Sequence, residues 1–299
     1  MTLFRIHSWA ENKQEKDNMR GLVLEGGAMR GMFTCGVLDV FMEQGIEFDG
    51  AIGVSAGATF GCNLKSKQIG RAIRYNLRFA KDPRYCSFRS LIKTGNLYNA
   101  DFCYRQLPDE LDVFDRKTFR ENPLEFYLVV TDIESGKPVY FKMKDGEFAE
   151  LEWMRASASM PLVSTPVCID GHKYLDGGIS DSIPLKYFEQ IGYDKNVVIL
   201  TQPRDYRKEQ SRIQFLMKPL FAKYPELYKA MKDRPEAYNA QTAYVFEREA
   251  QGSVFVICPE ESLGISRTEH NVDELKRVYE MGRKTAEAKL EAVKLFLFS

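Results

Sequence analysis

Histidine is scarce in this chain of 299 residues: His7, His172 and His270 are the only ones. That leaves little material for histidine-rich metal sites. It also constrains nucleophilic catalysis, because a Ser-His-Asp triad of the α/β-hydrolase order needs a histidine after its acid. Net charge is missing too. The 42 basic residues balance 42 acidic ones, so nucleic acid is not expected as a partner. No run of about 18 apolar residues occurs, which excludes an expected bilayer span. The six cysteines are widely spaced and form no CxxC pair. Neither a disulfide scaffold nor a zinc site is expected, no metal or other cofactor is called for, and reduced thiols in the cytoplasm are the expectation.

What is present is ordinary for a globular protein: 44% hydrophobic and 28% charged residues, in a chain long enough for a large core. Residues 1–19 are polar after Trp9 and have no apolar stretch of the signal-peptide kind. They are expected to be a loosely held leader, with Met19 as a candidate start. Residues 20–299 are expected as a single α/β domain with a helical C-terminal part from about 207 onward.

Apolar periodicity supplies the elements. Leu22–Leu24 reads as a buried strand, and Phe33, Val37, Val40 and Phe41 mark a helix that Gly45 stops. Phe48–Val54 returns as a strand, and a second helix begins at Ser55 or just after it. This strand–helix–strand–helix opening implies a parallel sheet. Residues 65–122 read as helix and loop. Tyr127–Asp132 and Val139–Phe141 are expected to pair across Glu134–Lys137. Val167–Ile169 and Lys173–Leu175 flank an Asp170-Gly171 turn. Val197–Thr201 and Val254–Cys258 read as further strands, and residues 207–250 and 272–297 as helices.

Three motifs carry chemistry. Gly53-Val54-Ser55-Ala56-Gly57 is a GxSxG pattern at a strand-to-helix turn, where small neighbours let the backbone close while the serine hydroxyl stands exposed. The new helix start places amides near a developing oxyanion, which makes Ala56 a candidate donor. Gly26-Gly27-Ala28-Met29-Arg30-Gly31 follows the first strand and offers a second set of amides. It is no dinucleotide loop, since the glycine phasing fails, and no Walker A loop, since Met32 stands where lysine is needed. A plain strand–helix turn is its bland alternative. Asp176-Gly177-Gly178 follows the Asp170-Gly171 turn, and a carboxylate there can take the Ser55 proton if burial raises its pKa. His172 falls in the hairpin turn and His270 in a polar stretch. A Ser–Asp dyad therefore fits the inventory better than a triad.

These three motifs, in this order, resemble the patatin-like phospholipase family, and the likeness spans at least residues 21–185. It includes Ala156-Ser157-Ala158-Ser159-Met160-Pro161 and Val167–Gly178, and it looks most like the bacterial, stand-alone branch. The resemblance implies a three-layer α/β/α sandwich with a mainly parallel sheet. It implies a catalytic Ser55–Asp176 dyad, an oxyanion hole at Gly26, Gly27, Ala28 and Ala56, and hydrolysis of lipid acyl esters without metal. Arg30, Gly31, Gly53, Gly57, Gly177 and Gly178 complete the motif pattern. Ala28 replaces the family's third loop glycine, and Ser182 stands where an asparagine is expected. A catalytically idle lipid-binding or scaffold protein that keeps the fold is the other open reading.

Two stretches leave alternatives open. Arg71, Arg74 and Arg78 fall at helical spacing in a basic segment, either as a solvated face or as an anionic headgroup site. Residues 213–231 carry an apolar stripe opposite lysines, either packed on the core or acting as a lid at a membrane surface, with the protein then peripheral to the membrane.

Overall fold

The computed structural model describes residues 19–210 and 218–298. Among them, eight strands form one sheet: β1 (Arg20–Leu24), β2 (Gly50–Val54), β3 (Glu125–Asp132), β4 (Pro138–Met143), β5 (Val167–Ile169), β6 (His172–Asp176), β7 (Lys195–Ile199) and β8 (Val254–Ile257). Their order is β5-β6-β3-β2-β1-β7-β8, with β4 beside β3. β3, β2, β1, β7 and β8 run parallel, whereas β4 and β6 pair with β3 antiparallel and β5 pairs with β6 antiparallel. The mainly parallel sheet is thus present, with an antiparallel flank.

The central strands are buried on both faces, which is why they read as continuous apolar runs. Leu22, Leu24, Ala51, Val197 and Ile199 face one core, and Val23, Ile52, Val54 and Val198 face the other. The first core is covered by α1 (Gly31–Glu43), α2 (Ala56–Lys65), α3 (Arg71–Phe79), α6 (Phe148–Ser157) and α9 (Val272–Phe298). Between α3 and α6 lie α4 (Phe88–Thr94), a π-helix over Phe102–Leu111 and α5 (Arg116–Glu121). Pro108 sits inside the π-helix, where it removes a backbone donor that a regular helix would use. The second core is covered by α7 (Leu185–Gln190) and α8 (Pro225–Ala250) through Leu185, Phe188, Tyr238 and Val245. Helices on both faces give the expected three layers.

α1 and α9 touch at their backbones. A Cβ on Gly36 would fall on the Tyr279 carbonyl oxygen, and one on Gly282 would fall on the Phe33 carbonyl oxygen. The crossing is fastened by Tyr279, whose hydroxyl donates to Asp39 at 2.8 Å, and by an Arg283–Glu43 ion pair at 2.7 Å. The C-terminal helix is therefore built into the first core.

Of the residues expected as helical over 207–250, the described ones are helical only from 225 onward. Residues 207–210 are irregular and 218–223 form turns, and α8 begins at Pro225, which suits the first helical turn because its missing N–H has no acceptor there. Residues 213–217 of the expected apolar stripe lie outside the described residues. In its remainder Leu227 and Met231 pack with Ile133, Leu175 and Ile179, as core residues do, while Leu220 is 68% exposed.

Candidate active site

Strand register brings the serine and the aspartate together. β2 runs parallel to the first part of β3, with Val54 opposite Val129. β6 takes over the same edge of β3 from the other direction, with Asp176 opposite Val130. Ser55 comes one residue after Val54, so the chain ends carrying Ser55 and Asp176 meet at adjacent levels of β3. The glycines make the meeting sterically feasible. A Cβ on Gly177 would collide with the Val129 carbonyl, and one on Gly53 would lie 2.5 Å from the Gly57 backbone. Gly57 itself packs on the Leu24 carbonyl, and Gly31 on the Phe60 ring and the Ala56 methyl.

Ser55 has φ 54° and ψ −117°, a backbone conformation that a non-glycine residue reaches only with strain. Its N–H donates to the Ser157 hydroxyl at 3.0 Å, and Ser157 is fully buried at the end of α6. Ser157 thus holds the elbow from across the molecule. Asp176 is buried. It accepts the Gly178 N–H at 2.7 Å, and its own N–H donates to the Ser159 carbonyl at 2.8 Å. Burial pushes its carboxyl above the ordinary aspartate range; the positive charge of Arg234, hydrogen bonding from Ser55 and the Gly178 amide pull it back. A carboxyl so poised can take a proton from a hydroxyl more readily than a solvated aspartate can.

The glycine loop stands beside the serine. A Cβ on Gly26 would come within 3.1 Å of the Ser55 Cβ. Ala28 and Ala56 are first residues of helical turns, so their N–H groups have no acceptor within the helix. Gly27 precedes Ala28, and a Cβ on it would press on the Thr201 hydroxyl. Ala28 has φ 50°, a left-handed conformation in which glycine would be cheaper.

Glu25 anchors this loop, a role that sequence reasoning missed. It is buried, accepts the Thr201 N–H at 2.6 Å and accepts the Tyr238 hydroxyl at 2.8 Å. Thr201 in turn donates its hydroxyl to the Gly26 carbonyl at 3.1 Å. Burial raises the Glu25 carboxyl, opposed by these hydrogen bonds and by the charges of Arg30 and Lys208. An acid directly before a glycine pair was the available signal; its partners lie 176 and 213 residues away.

Two cavities meet at Ser55. One holds about 120 Å³ and is walled by Phe60, Tyr75, Tyr104, Leu107, Leu151 and Met154 among others. The other holds about 880 Å³ and is lined by Glu25, Gly26, Asp176, Lys208 and Arg234 among others. Ala28 and Met160 also border both.

The basic stretch does not present a common free face. Arg71 is buried, donates to Asn63 at 3.1 Å and pairs with Asp112 at 3.4 Å. Arg74 pairs with the same Asp112 at 2.7 Å, and Arg78 donates to the Leu111 carbonyl at 2.8 Å. Three cations thus fasten α3 to the end of the π-helix, a structural use of their donors that counts against the headgroup alternative. His172 is exposed at the start of β6, and the His270 ring bonds the Ala80 carbonyl at 2.6 Å; neither borders the two cavities. Among the described residues, no group of three or more His, Cys, Asp or Glu is placed to hold a metal ion, and no helix is long and apolar enough to cross a membrane.

An α/β sheet carrying a strained serine, a buried aspartate and a glycine loop at one end defines the class. The family model described as patatin-like phospholipase matches residues 22–189, more than half of the chain. The protein belongs to the patatin-like phospholipase family. A second model, described as a domain of unknown function, matches residues 224–298. The chain is similar to the uncharacterized protein YjjU of Escherichia coli (strain K12), 35% identical over 192 residues that cover 61% of this chain and 52% of that protein. It is also similar to lysophospholipase NTE1 of Pyricularia oryzae, 28% identical over 186 residues that cover 58% of this chain and 11% of the fungal protein. The chain thus spans about half or less of the length of these curated relatives. The crystal structure of VipD from Legionella pneumophila aligns with 92% of this chain and 67% of that one, with a TM-score of 0.46 and 12% identity.

Proposed function

We propose that this protein hydrolyses lipid acyl esters with Ser55 as nucleophile and Asp176 as its base. The observation that carries the reading is the register that sets Ser55, in a strained elbow, against a buried aspartate whose pKa is raised. The Ser55 oxygen attacks the ester carbonyl while its proton passes to Asp176. Amides of the Gly26–Ala28 loop and of Ala56 stabilise the oxyanion. The tetrahedral intermediate collapses, the alcohol leaves with the proton held by Asp176, and an acyl-serine remains. Water then attacks, giving its proton to Asp176, and the fatty acid departs as Ser55 is reprotonated. The apolar cavity suits the acyl chain, because its wall offers aliphatic and aromatic surface and few polar groups.

The test is hydrolysis of a monoacyl ester series, followed by mass spectrometry of the released acid. Ser55→Ala is expected to lose at least about a thousandfold in kcat, as nucleophile removals do, with an unchanged melting curve. Chelator is expected to leave the rate alone. A Ser55→Ala protein that retains more than about a thousandth of the rate contradicts the reading, as does activity lost to EDTA and restored by calcium.

A further inference from the structure

The larger cavity is lined by more cations than carboxyls. Arg30 from the glycine loop, Lys208 from the segment after β7, Arg234 from α8 and Arg267 from the segment before α9 all line it. None of the four has an ion-pair partner among the described residues. The Nε atoms of Arg30 and Arg234 are buried with no hydrogen-bond partner there. Lys208 lies over the Tyr238 ring, 4.6 Å from its centre, and Arg267 stands exposed at the rim. A fifth cation, Arg207, spends its Nη1 on the Arg204 and Tyr206 carbonyls.

Three carboxyls share this lining: Glu25, Asp176 and Glu209. Glu25 is committed to Thr201 and Tyr238, Asp176 faces Ser55, and Glu209 is exposed. The excess is therefore positive, and it is concentrated around two partly desolvated guanidiniums with donors to spare. Burial brings Lys208 down to about 8, helped by the charges of Arg234, Arg267 and Arg30 and opposed by Glu25. Cations that destabilise one another in a cavity are relieved by an anion placed among them.

We propose that this basin binds a phosphoryl group and, resting on the reading of Ser55 as nucleophile, that it selects acyl esters whose alcohol side carries a phosphate without a cationic cap. A phosphate offers more oxygens and more charge than a carboxylate, so it can satisfy several forked donors at once. A choline or ethanolamine ammonium beside it would meet four like charges. The residues come from four separate segments, so this is a cavity property rather than a basic run.

The test has two arms. In the first, the protein acts on a monoacylglycerol and on the monoacylglycerol phosphate with the same chain. The phosphate ester is expected to be favoured in kcat/KM by about tenfold to a hundredfold, the worth of one to two charge-assisted hydrogen bonds. Lys208→Gln with Arg234→Gln is expected to collapse that ratio, and Arg267→Gln, at the exposed rim, to lower it less. Lys229→Gln, an exposed lysine of α8 away from the cavity, is expected to leave it alone. A ratio near one in the unaltered protein, a ratio that survives the double change, or an equal fall in Lys229→Gln overturns the proposal.

The second arm does not need turnover. Ser55→Ala protein is titrated calorimetrically with inorganic phosphate and with glycerol phosphate, with and without the double change. Binding lost in the double variant supports the site even if no ester is hydrolysed, in which case the catalytic reading alone fails. Tighter binding of glycerol phosphate identifies a headgroup, and equal binding identifies free phosphate as the source. Absence of binding by either overturns the proposal.

Discussion

The two sides of Ser55 are built on different principles. The smaller cavity lies over the first core, and most of its wall comes from α2, α3, the π-helix and α6 and the loops between them. Its one cation, Arg71, is already paired with Asp112. The larger cavity draws its cations from residue 30 and then from residues 207, 208, 234 and 267, and none of them has an ion-pair partner among the described residues. One side is finished as a packed apolar wall. The other holds charge in suspense, which costs free energy unless a ligand supplies the counter-charge. On the proposed reading, the contrast teaches how one nucleophile can serve an amphiphile: dispersion and desolvation would hold the chain, and charge would hold the head.

Several substitutions would break or sharpen this contrast. Asp176→Asn has the largest expected effect, a loss of about a thousandfold or more in kcat on every ester, because both sides converge on the same proton transfer. Hydrolysis rates of charged and neutral esters should fall together. Thr59→Phe is expected to fill the apolar slot. Long-chain esters should lose about a hundredfold in kcat/KM relative to acetyl esters, on the scale of hydrophobic-pocket discrimination, while the phosphate preference persists. A pH series is expected to act on the other side alone. Lys208 is charged below about 8 and loses its charge as pH rises through that value. The ratio of phosphate-ester to neutral-ester kcat/KM should therefore decline above pH 8, by up to about tenfold for one charge-assisted contact. Ala28→Gly has the smallest expected effect. Relief of the positive φ at Ala28 is expected to add about 1 kcal/mol of stability, seen as a rise of roughly 2–4 °C in Tm, with both substrate classes treated alike.

Much of the candidate active site was legible because its signals are local. GxSxG and Asp-Gly-Gly are each written within five residues, and strands β1, β2 and β3 announced themselves as unbroken apolar runs, as strands buried on both faces do. The glycines could be read as close-approach positions, and Gly177 on the Val129 carbonyl bears that out. The anchors were not legible, because they depend on contacts between distant segments. Glu25 finds Tyr238 only after α8 is laid across the second core. Arg30, Lys208, Arg234 and Arg267 have no shared spacing, so no window along the chain contains them. Arg71, Arg74 and Arg78 did share a spacing, yet Asp112 and the Leu111 carbonyl, 33 or more residues away, took up their donors. Over residues 207–210 and 218–224 no helix forms, and the fold gives Pro225 the first position of α8, where a proline that would interrupt a helix instead begins one.

The central claim is that Ser55 is activated by Asp176 without a histidine. It is tested most directly by mapping the adduct of a fluorophosphonate probe by peptide mass spectrometry. The unaltered protein should carry the adduct on Ser55. Asp176→Asn should label about a thousandfold more slowly, and His172→Ala and His270→Ala should label at the unaltered rate. An adduct on another residue, an Asp176→Asn protein that labels at full speed, or a folded histidine variant that does not label would contradict the account.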